Sequence, residues 1–143
     1  MELEVVTDIR RELEHERRRL KSLKSAATDI TRRLDGLPHA KTQSSRVETL
    51  VTEICAAEER ITALELKLVE AAQDLTIEIL SRVAGTDGEV LVRRYVTCEP
   101  FEAIAAAMGY SASRVYFLHR RGKDRYTRAK ADVAFRSCRG LDG

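Results

Sequence analysis

The stretch Phe101-Glu102-Ala103-Ile104-Ala105-Ala106-Ala107-Met108-Gly109-Tyr110-Ser111-Ala112-Ser113-Arg114-Val115 decides the reading of the fold. A small residue, Ala105, stands where a second helix must approach closely. Gly109, four residues later, permits a tight turn because it has no Cβ to resist a left-handed backbone. Ser111 is placed to cap the following helix through its hydroxyl. Ile104, Met108, Val115 and Leu118 fall at spacings that give both helices one shared apolar core. The pattern predicts a helix over 101–108, a turn at Gly109-Tyr110-Ser111, and a longer helix from Ser111 toward Phe135. It is the helix-turn-helix pattern.

In such a unit the second helix enters the major groove of duplex DNA, which admits one α-helix. The exposed residues of its first two turns, Ala112, Ser113, Arg114, Tyr116 and Phe117, are the candidates to meet base edges. Arg120, Arg121, Lys123, Arg125, Arg128 and Lys130 follow along the same helix and are the candidates to meet phosphates. Residues 111–139 hold nine Lys and Arg against only Asp124 and Asp132, too few acids for ordinary i,i+4 pairing. The net charge of the whole chain, +2, conceals this concentration, because residues 1–72 hold 13 basic and 14 acidic side chains. Positive charge gathered in the last fifth of the chain points to a polyanion, and double-stranded DNA is the expected partner.

Working upstream, two long helices are expected. Ile9, Leu13, Glu16, Leu20, Leu23, Ala27, Ile30 and Leu34 alternate spacings of four and three, a heptad seam. Glu16 is its polar member, and its long side chain is expected to snorkel out to solvent. Asp35-Gly36-Leu37-Pro38 is a stop signal, with Gly36 fit for a C-cap and Pro38 barring continuation. Ser45-Arg46-Val47-Glu48 has the capping-box pattern and predicts the start of the second helix. Its seam runs Val47, Leu50, Ile54, Ala57, Ile61, Leu64, Leu68, Ala71, Leu75. Two heptad helices joined by a short polar loop predict an antiparallel, coiled-coil-like hairpin. Leu66, Val69, Ile77 and Leu80 lie off the seam and imply a further contact, with the C-terminal domain or with a second copy of the chain. Gly85 breaks the pattern, and Thr86-Asp87-Gly88-Glu89 reads as another capping box before a short helix over 89–96. The expectation is an all-α protein: a helical hairpin over 1–84 and a helix-turn-helix domain over 85–143.

Composition narrows the function classes. Charged residues at 34% and hydrophobic residues at 43% suit a folded, non-membrane chain. The longest apolar run, from Ala103 to Met108, is too short to cross a bilayer, and no secretory signal is apparent. Cys55, Cys98 and Cys138 are isolated, which fits a reducing cytoplasm rather than a disulfide framework. His15, His39 and His119 have no second ligand at metal spacing, so no metal is expected. There is no phosphate-binding glycine loop and no nucleophile–base arrangement. No cofactor and no enzyme activity are therefore expected.

Val90-Leu91-Val92-Arg93-Arg94-Tyr95, then the helix-turn-helix, then Arg114-Val115-Tyr116-Phe117-Leu118-His119-Arg120-Arg121 resembles sigma-factor region 4. The likeness is greatest to the small sigma-70-like regulators of phages and prophages, the RinA and ArpU type of late-gene regulator. It covers residues 87–126 well and residues 1–84 weakly, through the Leu37-Pro38 loop and Val47-Glu48. The resemblance implies a transcription regulator in the cytoplasm of a bacterial host that contacts host RNA polymerase. The chain departs from that pattern at several positions. Family members carry Gly where Cys98 stands, a capping Ser where Pro100 stands, and long polar residues where Ala112 and Phe117 stand. Gly122, unusual in mid-helix, marks a bend or the end of the reading helix.

Promoter melting is not expected, because aromatic side chains are needed to hold flipped bases and residues 1–94 contain none. An activator that recruits polymerase fits better. Two other classes stay open. One is an adaptor or anti-sigma-like interaction protein with a degenerate helix-turn-helix. The other is a phage DNA-packaging small subunit, which also joins a helix-turn-helix to helical oligomerisation. A second copy, bound through the hairpin, is a further candidate partner.

Overall fold

The computed structural model describes the backbone of residues 1–33 and 40–139, and side chains over 1–32 and 45–130. Among the described residues there are five helices and no strand: α1 (Val5–Arg33), α2 (Ala40–Arg82), α3 (Thr86–Tyr95), α4 (Phe101–Met108) and α5 (Ala112–Arg139). The fold is all-α. No described helix is long and apolar enough to cross a membrane.

The chain forms two compact units. One is Asp8–Val69; the other joins Met1–Thr7 to Glu70–Gly143. In Asp8–Val69 the heptad spacing has its physical counterpart. Ile9, Leu13, Ala57 and Leu64 are buried, and Leu20, Leu23, Ile30, Val47, Leu50, Ile54 and Ile61 are half-buried. Arg17 meets Glu65 at 3.0 Å and Lys24 meets Glu58 at 3.5 Å, so positions rise along α1 as they fall along α2. These pairs are solvent-exposed, and each contributes about 0–1 kcal/mol. The apolar seam holds the two segments together. Glu16 does not snorkel outward. It is 13% exposed, one carboxylate oxygen is buried without a partner, and the other lies 3.9 Å from Arg60.

The second unit has a denser core. Val90, Ile104, Ala105, Val115 and Leu118 are buried together, with Phe101, Met108 and Tyr110 packed on them. Leu3, Val6, Leu75, Ile79, Val83 and Leu91 are buried in the same unit. The sequence put a boundary at 84/85, but the units part between Val69 and Glu70. The reason lies in the last turns of α2. Leu75, Ile79 and Val83 are buried there, and Arg82 stacks over the Tyr126 ring at 5.1 Å. Off the seam, Leu66, Val69, Ile77 and Leu80 are 51–68% exposed, so no described residue covers them as expected.

Both proposed capping boxes fail as caps. The α2 helix starts at Ala40, so Ser45 and Glu48 lie inside it. The pattern caps a helix only where the serine backbone is extended, and here it is helical. The Asp35-Gly36-Leu37-Pro38 stop lies outside the described residues. The α3 helix starts at Thr86 after Gly85, whose φ of 80° supplies the break, and no side chain caps it. Asp87 turns inward instead. Gly109 takes the left-handed C-cap expected of it, with φ 71°, and Tyr110 N–H donates to the Ala105 carbonyl at 3.0 Å. The Ser111 hydroxyl accepts from Arg114 N–H at 3.3 Å, the cap that was expected at the start of α5. Gly122 does not end α5, which runs on to Arg139. A Cβ at Gly122 would stand 3.1 Å from Leu91 Cγ and 3.2 Å from the Asp87 carbonyl oxygen. Its lack of a side chain lets α3 and α5 cross closely.

Candidate nucleic-acid interface

The interface is built on α5, whose buried stripe Val115, Leu118, Gly122 and Tyr126 turns the opposite side to solvent. The five residues expected at base edges, Ala112, Ser113, Arg114, Tyr116 and Phe117, are all exposed at its N-terminal end. They differ in freedom. Tyr116 rests against the Phe101 ring at 4.6 Å, so its ring is partly committed to α4. Phe117 is 54% exposed, with the Arg121 guanidinium 5.2 Å from its ring. Arg114 lies over Tyr110 at 4.9 Å and meets no carboxylate among the described residues.

The cations expected at phosphates, Arg120, Arg121, Lys123, Arg125 and Arg128, are all exposed as well, but they fall into two groups. Asp87, only 1% exposed, accepts two bonds from Arg121, at 2.8 Å from Nε and 2.9 Å from Nη2. Arg125 Nη1 stands 3.1 Å from the same carboxylate. This hydrogen-bonded pairing raises Arg121 above the ordinary arginine range. Arg128 pairs with Asp124 at 3.1 Å, and Lys130 with Glu2 at 3.1 Å. Arg120 and Lys123 form no ion pair among the described residues. The sequence count of nine cations against two acids took its acids from α5 alone. Asp87 on α3 and Glu2 near the start of the chain were outside it.

Sequence reasoning missed Asp87 as a partner, although a signal existed. Residues 87, 90 and 91 share one helical face, so an acid lies there beside Val90 and Leu91. A carboxylate on an apolar face needs a cation to accompany it inward. Nothing in the spacing said which cation, since Arg121 is 34 residues away.

The side of α5 that faces α3 carries a second arrangement. Tyr95 and His119 lie 2.8 Å apart through the phenol and Nε2, with their rings stacked. Burial pushes the Tyr95 phenol up. Burial, then the nearby cations Lys123 and Arg94, push His119 below the usual histidine range. At neutral pH the phenol therefore keeps its proton and the imidazole it bonds is neutral. Arg94 stacks over Phe101 at 4.3 Å and donates to the Glu99 carbonyl at 3.1 Å. Arg94, Tyr95 and His119 line a cleft of about 450 Å³ together with Glu4, Thr7, Cys98 and Phe101. Cys98, where the resemblance expects Gly, has φ 59°, the left-handed conformation that glycine adopts without cost.

No protein-family model matches the chain, and neither a curated protein nor a solved structure is significantly similar to it.

Proposed function

We propose that the chain is a sequence-specific duplex-DNA-binding regulator of transcription. In this reading α4, the Gly109 turn and α5 form a helix-turn-helix of the sigma-region-4 kind. The paired segments of α1 and α2 form a hairpin arm for association. The observation that carries the reading is the start of α5. A capped helix end projects Ala112, Ser113, Arg114 and Phe117 from a well-packed core, with no carboxylate on Arg114 among the described residues. Arg114 is free to bond O6 and N7 of one guanine, and Phe117 to touch a thymine methyl group. On the resemblance, the target is a phage or prophage promoter, and the protein acts by recruiting host RNA polymerase to it.

Selection of bound duplexes from a randomised library tests this. The wild type should enrich one short motif. Arg114→Ala should cost about 1–3 kcal/mol on that motif and flatten the preference at one base pair. A uniform loss of affinity with the motif intact would sink base reading by α5.

The adaptor reading keeps one observation of its own. Leu66, Val69, Ile77 and Leu80 are exposed along α2, more apolar surface than a free helix normally shows. Failure to enrich any motif would move that reading ahead.

A further inference from the structure

The two groups of α5 cations lie about a third of a turn apart around the helix, and they differ in how far carboxylates already hold them. On one side stand Phe117, Arg121, Arg125 and Arg128. Asp87 pairs with two of those arginines and Asp124 with the third, so two carboxylates offset three cations. A phosphate that took the two Arg121 donors facing Asp87 would strip them from a carboxylate that is 1% exposed. On the other side stand Tyr116, Arg120, Lys123 and Thr127, which line one shallow depression with His119 and Asp124. Arg120 and Lys123 have no carboxylate partner there, and the Asp124 carboxylate is turned to Arg128. His119 joins this depression to the cleft that holds Arg94.

We infer that the phosphodiester backbone of duplex DNA docks along the Arg94–His119–Arg120–Lys123 side of α5, and that the Arg121–Arg125–Arg128 side is a structural clamp. The inference rests on the DNA-binding reading and divides its cations into two roles. Charge complementarity selects the occupant: Arg120 and Lys123, which have no carboxylate partner among the described residues, suit neighbouring phosphates. Burial first, and then the neighbouring cations Lys123 and Arg94, hold His119 below the usual histidine range.

Two double variants test it, each removing two positive charges, so that net charge is held equal between them. The full chain is titrated with a mixed-sequence duplex of about 30 base pairs at several salt concentrations. Arg120→Gln with Lys123→Gln should weaken binding tenfold or more near 0.1 M salt. The slope of log K against log salt should become shallower by about two. Arg125→Gln with Arg128→Gln should stay within about threefold of wild type and change the slope by less than one. A third variant, Thr127→Lys, adds a cation to the docking side and should tighten binding several-fold, a gain that misfolding cannot produce. Equal losses from the two double variants, a greater loss from the Arg125 and Arg128 pair, or no gain from Thr127→Lys would overturn the sidedness. A wild type that shows no salt-dependent affinity for any duplex would instead overturn the DNA-binding reading, and the inference with it.

Discussion

The stretch Asp8–Val69 and the unit formed by Met1–Thr7 with residues 70–143 are both helical, but they are held together differently. The first is a seam. Ile9, Leu13, Ala57 and Leu64 are buried, most other seam residues are half-buried, and the flanking ion pairs are in water. The second depends on a few close fits, two of them between residues far apart in sequence. Gly88 sits against the Val83 backbone, Gly122 against Leu91, and Asp87 against Arg121. A seam tolerates error because each contact is one of many similar ones. A close fit does not, because there is no room beside it.

The largest expected effect tests that contrast directly. A Cβ at Gly88 would run into the Val83 carbonyl oxygen, which belongs to the backbone and cannot swing away. Gly88→Ala should therefore cost about 3 kcal/mol, although alanine is the better helix former by about 1 kcal/mol. Urea unfolding followed by circular dichroism measures it, and an unchanged midpoint would remove the distinction between the units.

A matched pair of truncations sharpens it. Leu75 is fully buried in the second unit, and Leu64, at 9% exposed, is buried in the seam. Leu75→Ala should cost about 4 kcal/mol and Leu64→Ala about 2 kcal/mol, opposite ends of the usual range for such truncations. Equal losses would mean that the seam is packed as tightly as the core.

The smallest effect has the opposite sign. Cys98 holds φ 59°, a conformation costing roughly 1 kcal/mol for a residue with a Cβ. Its thiol makes long contacts, 3.8 Å to the Thr7 hydroxyl, 3.8 Å to the Val96 carbonyl and 3.9 Å to the Tyr95 carbonyl. Cys98→Gly should raise stability by up to about 1 kcal/mol. A loss of stability would show that the thiol contacts outweigh the backbone strain.

The same contrast explains what was legible in the sequence. Heptad spacing is a local signal, and the α1 and α2 seam positions it selects are buried or half-buried wherever side chains are described. The turn at Gly109 and the cap at Ser111 were also legible, because each involves residues within four positions of one another. The two four-residue capping patterns misled for the same reason. A short pattern is common inside helices, and whether it caps depends on a backbone angle it does not encode. Asp87, Gly88 and Gly122 depend on partners elsewhere in the chain or on a close backbone approach, which periodicity does not report. For the candidate interface, the exposed residues at the start of α5 could be listed from spacing. Which of the cations carboxylates already hold could not be, because Asp87 and Glu2 lie outside α5.

Finally, α5 is unbroken from Ala112 to Arg139, with Gly122 inside it. From Arg114 to Tyr126 is twelve residues, or about 18 Å of stiff rod at 1.5 Å per residue. Tyr126 is anchored beneath Arg82 on α2. The rod is thus a lever with its fulcrum at the Gly122 crossing. A tilt of about 3° carries one end about 1 Å relative to the other, comparable to the slack in a hydrogen bond. One continuous helix thus carries Arg114 near its start and the Arg82-capped Tyr126 further along.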